Sequence, residues 1–302
     1  MVTVLSRDVS RASRLLVQSA TAPSDESGSA PAALGPMGEG LPRLRIARWD
    51  PTSEKGANEL TGCDAVVHLA GSPAVGQRWN PRVKREIRDS RVLTTRWIVD
   101  ALARAESRPR TFICASAVGY YGARDGSEEL DEDAACGTDF LASVCDEWEA
   151  AAARATRHGL RVVHARIGLV LAPRGGALER MVKPFKAFAG GPLGSGRQVV
   201  SWVHLDDLVR ALLMCLDDES LAGPVNLTAP EPVTNATLAS EIGRVLHRPA
   251  WIPVPAAALR LRFGEGADPL LTGQRVLPRR LQAAGFQWRF ADVRSALEDL
   301  LG

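Results

Sequence analysis

The 302-residue chain contains only two tyrosines, and they are adjacent, Tyr120 and Tyr121. A phenol can pass a proton to or from a substrate oxygen when a neighbouring cation lowers its pKa. Any such chemistry must therefore draw on one stretch, Phe112-Ile113-Cys114-Ala115-Ser116-Ala117-Val118-Gly119-Tyr120-Tyr121-Gly122. Within it Ser116 offers a hydroxyl that could hydrogen-bond a substrate oxygen, and a buried structural serine is an equally good reading. The apolar run 111–115 breaks into Ser116 and small residues, the pattern of a buried parallel strand whose carboxyl end opens into a loop. Open α/β sheets bind their ligands at that end. Ser116, Tyr120 and Tyr121 are accordingly the candidate catalytic residues.

Other side chains carry less. Arg166 ends an apolar strand and needs an anionic or carbonyl partner, either a cofactor or an acid. Asp206-Asp207 has the form of a carboxylate pair, but a helix N-cap explains it better. His68 and His204 read as satisfied core or hinge histidines, and Trp79 and Trp202 as core packing unless they line a pocket. The five cysteines, at 63, 114, 136, 145 and 215, are odd in number and show no C-x-x-C spacing. That argues against a disulfide framework and a zinc site and reads as reduced, mostly core thiols, with no metal expected.

These residues need a frame, and the patterning supplies one. Strands are expected at 1–5, 44–48, 64–71, 111–115 and 161–166, with long helices at 81–104 and about 138–158, the second ended by Gly159. This alternation predicts a doubly wound parallel sheet, Rossmann-like, with helices on both faces. Residues 9–18 could form a short helix. Residues 19–40 are almost wholly Ala, Ser, Pro, Gly and acid, a composition that does not offset its ordering entropy and reads as a poorly ordered loop. Later come a helix at 176–189, a hairpin signal at 190–196, a strand at 198–203, a helix from Asp206 or Asp207 to 216, a strand at 224–227, and a helix to 246 capped by Thr234. Helical pieces at 253–263 and 278–284 complete a smaller α+β lobe. Domains are drawn at 1–168 and 169–302, the second interleaved with the sheet. With 37 basic and 35 acidic residues there is no basic block, so no nucleic-acid partner is expected. No apolar run approaches a membrane span, and the start is too short for a signal core, so no membrane partner and a cytoplasmic location are expected.

In order along the chain, Val67-His68-Leu69-Ala70-Gly71, Ser116 to Gly122, Arg166-Ile167-Gly168-Leu169-Val170-Leu171 and Trp202-Val203-His204-Leu205-Asp206-Asp207 resemble landmarks of the extended short-chain dehydrogenases, the nucleotide-sugar epimerase-like enzymes. Arg78-Trp79, Asp89-Ser90-Arg91, Cys145 to Trp148-Glu149, residues 190–196 and Gln274-Arg275-Val276-Leu277-Pro278-Arg279-Arg280 resemble the atypical epimerase-family proteins that end in a small domain of unknown function, here about 250–299. The resemblance implies a nicotinamide cofactor and a small-molecule substrate, and it leaves a homodimer open. It places Ser6, Arg7, Leu69, Ala70, Gly71, Glu86, Arg91 and Arg166 around the cofactor. An arginine after the strand suits a 2′-phosphate, so NADP(H) is favoured over NAD(H).

Two departures from the family pattern bear on function. No glycine-rich turn follows a first strand. Gly35-Pro36-Met37-Gly38-Glu39-Gly40 is the nearest cluster and has no strand before it. On this comparison 4–7 resembles the second strand, Met1 lies roughly 25 residues downstream of the usual start, and the first, central strand is expected to be missing. The rival is that 1–5 takes the first-strand place and 44–50 the second. The other departure is the Tyr-x-x-x-Lys dyad. Tyr120 is followed at four by Arg124 and Tyr121 by Asp125, and the usual pair would fall at Leu141 and Cys145. Weak, altered or absent redox or epimerase activity is the expectation, with a cofactor-sensing or scaffolding protein as the alternative.

Overall fold

In the computed structural model the described residues are 1–6, 8–10, 12–13, 44–49 and 60–302. Arg7, residues 14–40 and the 35–40 glycine cluster, on which several expectations fall, lie outside them. The elements run β1 (Val2–Ser6), β2 (Leu44–Arg48), β3 (Ala65–His68), α1 (Pro81–Arg104), β4 (Thr111–Ala117), β5 (Glu129–Leu130), α2 (Phe140–Ala153), β6 (Arg161–Ile167) and β7 (Leu169–Leu171). They continue with α3 (Gly176–Lys186), β8 (Val199–Val200), β9 (Trp202–His204), α4 (Leu205–Asp217), β10 (Gly223–Leu227), β11 (Val233–Thr234) and α5 (Asn235–Val245). The chain closes with α6 (Ala256–Phe263), α7 (Asp268–Leu271), β12 (Arg275–Val276), α8 (Arg279–Ala283) and α9 (Val293–Leu301).

A parallel sheet ordered β10-β6-β4-β3 is the centre of the molecule. Period-two alternation divides its side chains between two cores. Phe112, Cys114 and Val162 face α1 and α2, with Val92, Leu102 and Trp148. Ile113, Val163, Ala165 and Val225 face α4, with Leu208, Ala211 and Cys215. Helices thus cover both faces, as a doubly wound α/β sheet requires. Helix α1 starts where Asn80 Oδ1 accepts the Val83 amide at 2.9 Å, with Pro81 in the first turn. A further core joins α3, α5 and α9 around Trp202.

Strand β1 pairs in parallel with β2, Val4 opposite Ile46. Placing β1 as the first strand would call for a ladder with β3, and among the described residues none forms. Val67 in β3 is accordingly 40% exposed.

Several local expectations are corrected. Residues 190–196 do not form a hairpin. Three of their backbone bonds go instead to 252–254, through Ile252 N to Gly190 O (3.1 Å), Val254 N to Pro192 O (2.9 Å) and Gly194 N to Val254 O (2.9 Å), while Gly196 N closes a turn onto Leu193 O (3.0 Å). The strand expected at 198–203 is split at Ser201, whose hydroxyl donates to Gln274 O and accepts the Val276 amide. The acidic stretch 128–133 contains β5, which pairs with β12. His204, rather than Asp206 or Asp207, caps α4, its Nδ1 accepting the Asp206 amide at 3.1 Å while Nε2 sits 3.2 Å from Asp299. Asp207 is buried and accepts the Arg289 and Phe290 amides and Arg210, which ties the carboxyl-terminal segment to α4.

Candidate functional site

Sheet register builds the site. Ser116 in β4 lies opposite Arg166 in β6, and Arg166 lies opposite Asn226 in β10. Directly paired residues point to the same face, so a hydroxyl, a guanidinium and an amide form one row at the carboxyl ends of three strands. Glu149 reaches the row from α2. The Ser116 hydroxyl donates to Glu149 Oε1 at 2.6 Å, and Arg166 Nε and Nη2 grip Oε1 and Oε2, each at 2.9 Å. The two-point geometry matches the guanidinium fork to the carboxylate.

After β4 a short 3₁₀ turn, Val118–Tyr121, carries both phenols. Tyr121 is fully buried. It donates to Asn226 Oδ1 at 2.7 Å and accepts from Arg166 Nη1 at 3.0 Å. Tyr120 is half-buried, with its ring centroid 3.5 Å from the Arg166 guanidinium carbon. The turn is locked where Gly122, at φ 69°, crosses Gly137 so closely that a Cβ on Gly122 would sit 2.9 Å from Gly137 Cα. Asp139 then accepts the Ala123 amide with one oxygen and caps α2 with the other. Burial raises the Tyr121 phenol to about 12 against the opposing pull of Arg166. Burial also raises the Tyr120 phenol, again opposed by Arg166. Burial works against the Arg166 charge, but the Glu149 hydrogen bonds and charge outweigh it and hold its pKa above the usual arginine value.

The candidate catalytic residues Ser116, Tyr120 and Tyr121 are therefore brought together with Arg166, whose anionic partner is Glu149. Arg124 does not reach a phenol; its Nε donates to the Tyr121 carbonyl at 3.0 Å. Leu141 and Cys145 face Gly119 from α2, and burial lifts the Cys145 thiol to about 12. Sequence reasoning passed over Glu149, Glu132 and Asn226 as functional partners. The signal for Glu149 was a carboxylate inside the apolar stripe Ala142, Cys145, Trp148, Ala152, where burial demands a counter-charge. Glu132 holds the Asn226 and Arg280 amides, and its own carbonyl takes a bond from Arg166.

A second group lies at the end of β3. Leu69, Ala70 and Gly71 are exposed. Glu86 and Arg91 both hold the loop beyond them, Ser72 Oγ donating to Glu86 Oε1 (3.2 Å) and Arg91 Nη1 to the Ser72 carbonyl (3.0 Å). A Cβ on Gly71 would stand 3.1 Å from the Arg91 guanidinium carbon. Ser6 ends β1, its hydroxyl exchanging bonds with Asp8. Of the histidines, His204 is satisfied, whereas buried His68 has no hydrogen-bond partner for Nε2 among the described residues, a correction to its reading as a satisfied histidine. Among the described residues no His, Cys, Asp and Glu cluster could hold a metal, and no helix is long and apolar enough to cross a membrane.

The doubly wound sheet has its counterpart in known proteins. The model of the NAD dependent epimerase/dehydratase family matches residues 9–227. The chain belongs to that family. A domain of unknown function, DUF1731, matches residues 254–300. A relative in Arabidopsis thaliana, the chloroplastic homologue of epimerase family protein SDR39U1, is 45% identical over 246 residues, covering 81% of this chain and 70% of the relative. An epimerase family protein of Mycobacterium bovis is 45% identical over 251 residues, 82% of each. Human epimerase family protein SDR39U1 (isoform 2), whose crystal structure was solved with NADPH, superposes with a TM-score of 0.80 at 32% identity, covering 99% of each chain. With a chloroplast relative in the family, membership does not carry the expected cytoplasmic location.

Proposed function

We propose that this epimerase-family chain binds NADP(H) across the carboxyl ends of its parallel strands, with redox or epimerase turnover that is weak, altered or absent. The human relative's NADPH supports the cofactor, and the β3 end suits it chemically. Leu69, Ala70 and Gly71 present exposed apolar and backbone surface with no side chain beyond Cα at Gly71, where a Cβ would crowd Arg91. Leu69 to Gly71 would lie against the cofactor, while Glu86 and Arg91 would shape the loop beside it. Ser6 and Arg7 are the proposed contacts to the adenosine end. NADPH, when bound, supplies a hydride.

One observation carries the reading of weak turnover. The family-type proton carrier is a tyrosine beside lysine, whereas here Tyr121 is buried with its hydroxyl committed to both Asn226 and Arg166. A phenol held near 12 and already donating is a poor proton source at neutral pH. Tyr120, lying against Arg166, is the remaining phenol for a substrate-facing role. Since Ser116, Tyr121, Arg166 and Glu149 satisfy one another internally, a cofactor-sensing role through a protein partner is the second reading.

Nicotinamide-fluorescence titration of the full chain tests both. NADPH is expected to bind more tightly than NADH, and Gly71→Val to weaken NADPH by at least about tenfold. No binding of either nucleotide by a folded chain would end the cofactor reading. Rapid NADPH turnover lost in Tyr120→Phe would overturn the weak-activity reading and make Tyr120 the proton carrier.

A further inference from the structure

Residues 180–205 and 242–264 hold eight arginines and lysines and not one acid, in a chain that carries 35 acids in all. The fold lays these two stretches side by side, through the three backbone bonds that join 190–194 to 252–254. At their meeting point stand Phe188, Trp251 and Ile252, 58%, 76% and 47% exposed. Solvent disfavours all three, and the backbone disfavours Phe188 as well, because its φ of 59° is a left-handed conformation that suits glycine. Its ring nonetheless stays out of the core, although Phe185, three residues earlier, is buried. It lies against the Arg248 guanidinium, whose carbon is 4.5 Å from the ring centroid. Trp251 and Ile252 sit in a segment stiffened by Pro249, Pro253 and Pro255, so holding them out to a partner costs little further ordering.

We propose that this face lies on an anionic lipid bilayer, with Phe188, Trp251 and Ile252 at the boundary of headgroups and acyl chains and with Lys186 and Arg248 at the phosphates. Among the described residues no helix could cross a bilayer, but lying on one needs only exposed apolar side chains flanked by cations. Charge fits that occupant. Lys183 is paired with Glu179, and Arg244 with Glu241 and Glu298, whereas among the described residues no ion pair holds Lys186, Arg197, Arg248, Arg260 or Arg262. These five give the two stretches a positive field that an anionic surface complements. Side-chain chemistry separates a bilayer from other anions. Tryptophan is favoured at membrane interfaces, and hydrocarbon accepts Ile252 as readily as the rings, whereas nucleic-acid bases stack on the rings alone. From Lys186 to Gly194 and from Arg248 to Val254 no amide, hydroxyl or carboxylate side chain is present to read a base or hold a peptide.

Co-sedimentation of the full chain with vesicles tests this. The chain is expected to bind vesicles of mixed phosphatidylglycerol and phosphatidylcholine at least about tenfold more tightly than phosphatidylcholine alone, and to lose that preference in high salt. Lys186→Glu should weaken binding to the mixed vesicles only, by at least about fivefold. Phe188→Gly combined with Trp251→Ser should weaken binding to both vesicle types by at least about tenfold. The thermal melt of that pair should be no lower, because glycine suits the backbone at 188 and Trp251 is exposed. Acyl chains brominated near the headgroup should quench the tryptophan fluorescence of the wild type, and much less that of Trp251→Phe, which keeps an apolar ring there. A folded chain that ignores anionic vesicles would overturn the proposal. So would binding that survives the Phe188→Gly and Trp251→Ser pair, equal quenching in Trp251→Phe, or binding of a single-stranded oligonucleotide in place of vesicles.

Discussion

Glu149 is the residue on which the buried network depends, because among the described residues it alone forms an ion pair with Arg166 while also receiving the Ser116 hydroxyl. Removing one partner of a buried ion pair leaves an uncompensated charge and costs about 3–5 kcal/mol. Glu149→Gln is therefore expected to lower unfolding free energy by that amount in urea titrations. Ser116→Ala, which leaves the ion pair intact, should cost only about 1 kcal/mol. Equal effects would mean that the network is not organised around the charge pair. His68 gives the molecule a distinct acid sensitivity. Its ring is buried edge-on against Trp148, and burial lowers its pKa to about 4 from an ordinary 6.5. Between those values the unfolded chain binds a proton that the folded chain refuses, so stability falls as pH falls through the window and is complete above 6.5. The full difference is about 3 kcal/mol. Carboxylates titrate in the same range, so the check is the difference between wild type and His68→Leu. Stability curves that run parallel from pH 6.5 to 4 would show that His68 is not held neutral.

At the scale of elements, the parts legible in the sequence were those in which local pattern and tertiary role coincide. Helix α1 is found over the predicted 81–104 because Pro81, the apolar period and the Asn80 cap all act within the segment. The β4 strand and its small-residue exit were legible for the same reason, and so was the grouping of Ser116 with both tyrosines. What escaped depends on partners far away in the chain. The 190–196 glycines signal a turn, but which strand their backbone meets is decided by residues 252–254. Asp207 has the composition of a cap, yet its carboxylate is taken by amides 82 and 83 residues later. Glu149 was visible as a landmark and not as the partner of Arg166, since only the alignment of β4, β6 and α2 brings them together. The candidate site was thus readable as a grouping of residue types at the strand ends, while its hydrogen-bond logic required the register.

For the whole molecule, the decisive feature is that β1 and β2 pair with each other but share no ladder with the four-stranded sheet among the described residues. Their link to the rest is lateral packing, with Leu5 and Trp49 against the α1–α2 core. Two strands alone are marginal in water, whereas β4 and β6 are flanked by ladders on both sides and by helices on both faces. Opening β1–β2 breaks no hydrogen bond of the main sheet, so it should occur as a separate, cheaper event than global unfolding. Native-state hydrogen exchange is expected to show amides of Val2–Ser6 and Leu44–Arg48 protected at least roughly tenfold less than those of β4 and β6. If Ser6 contacts the cofactor, saturating NADPH should raise protection in β1 while leaving β4 and β6 at their global limit, because a ligand stabilises most the opening that destroys its site. Equal protection in all four strands without cofactor would show that lateral packing alone makes the sheet one cooperative unit, and the proposed contact at Ser6 would then have to be tested by mutation.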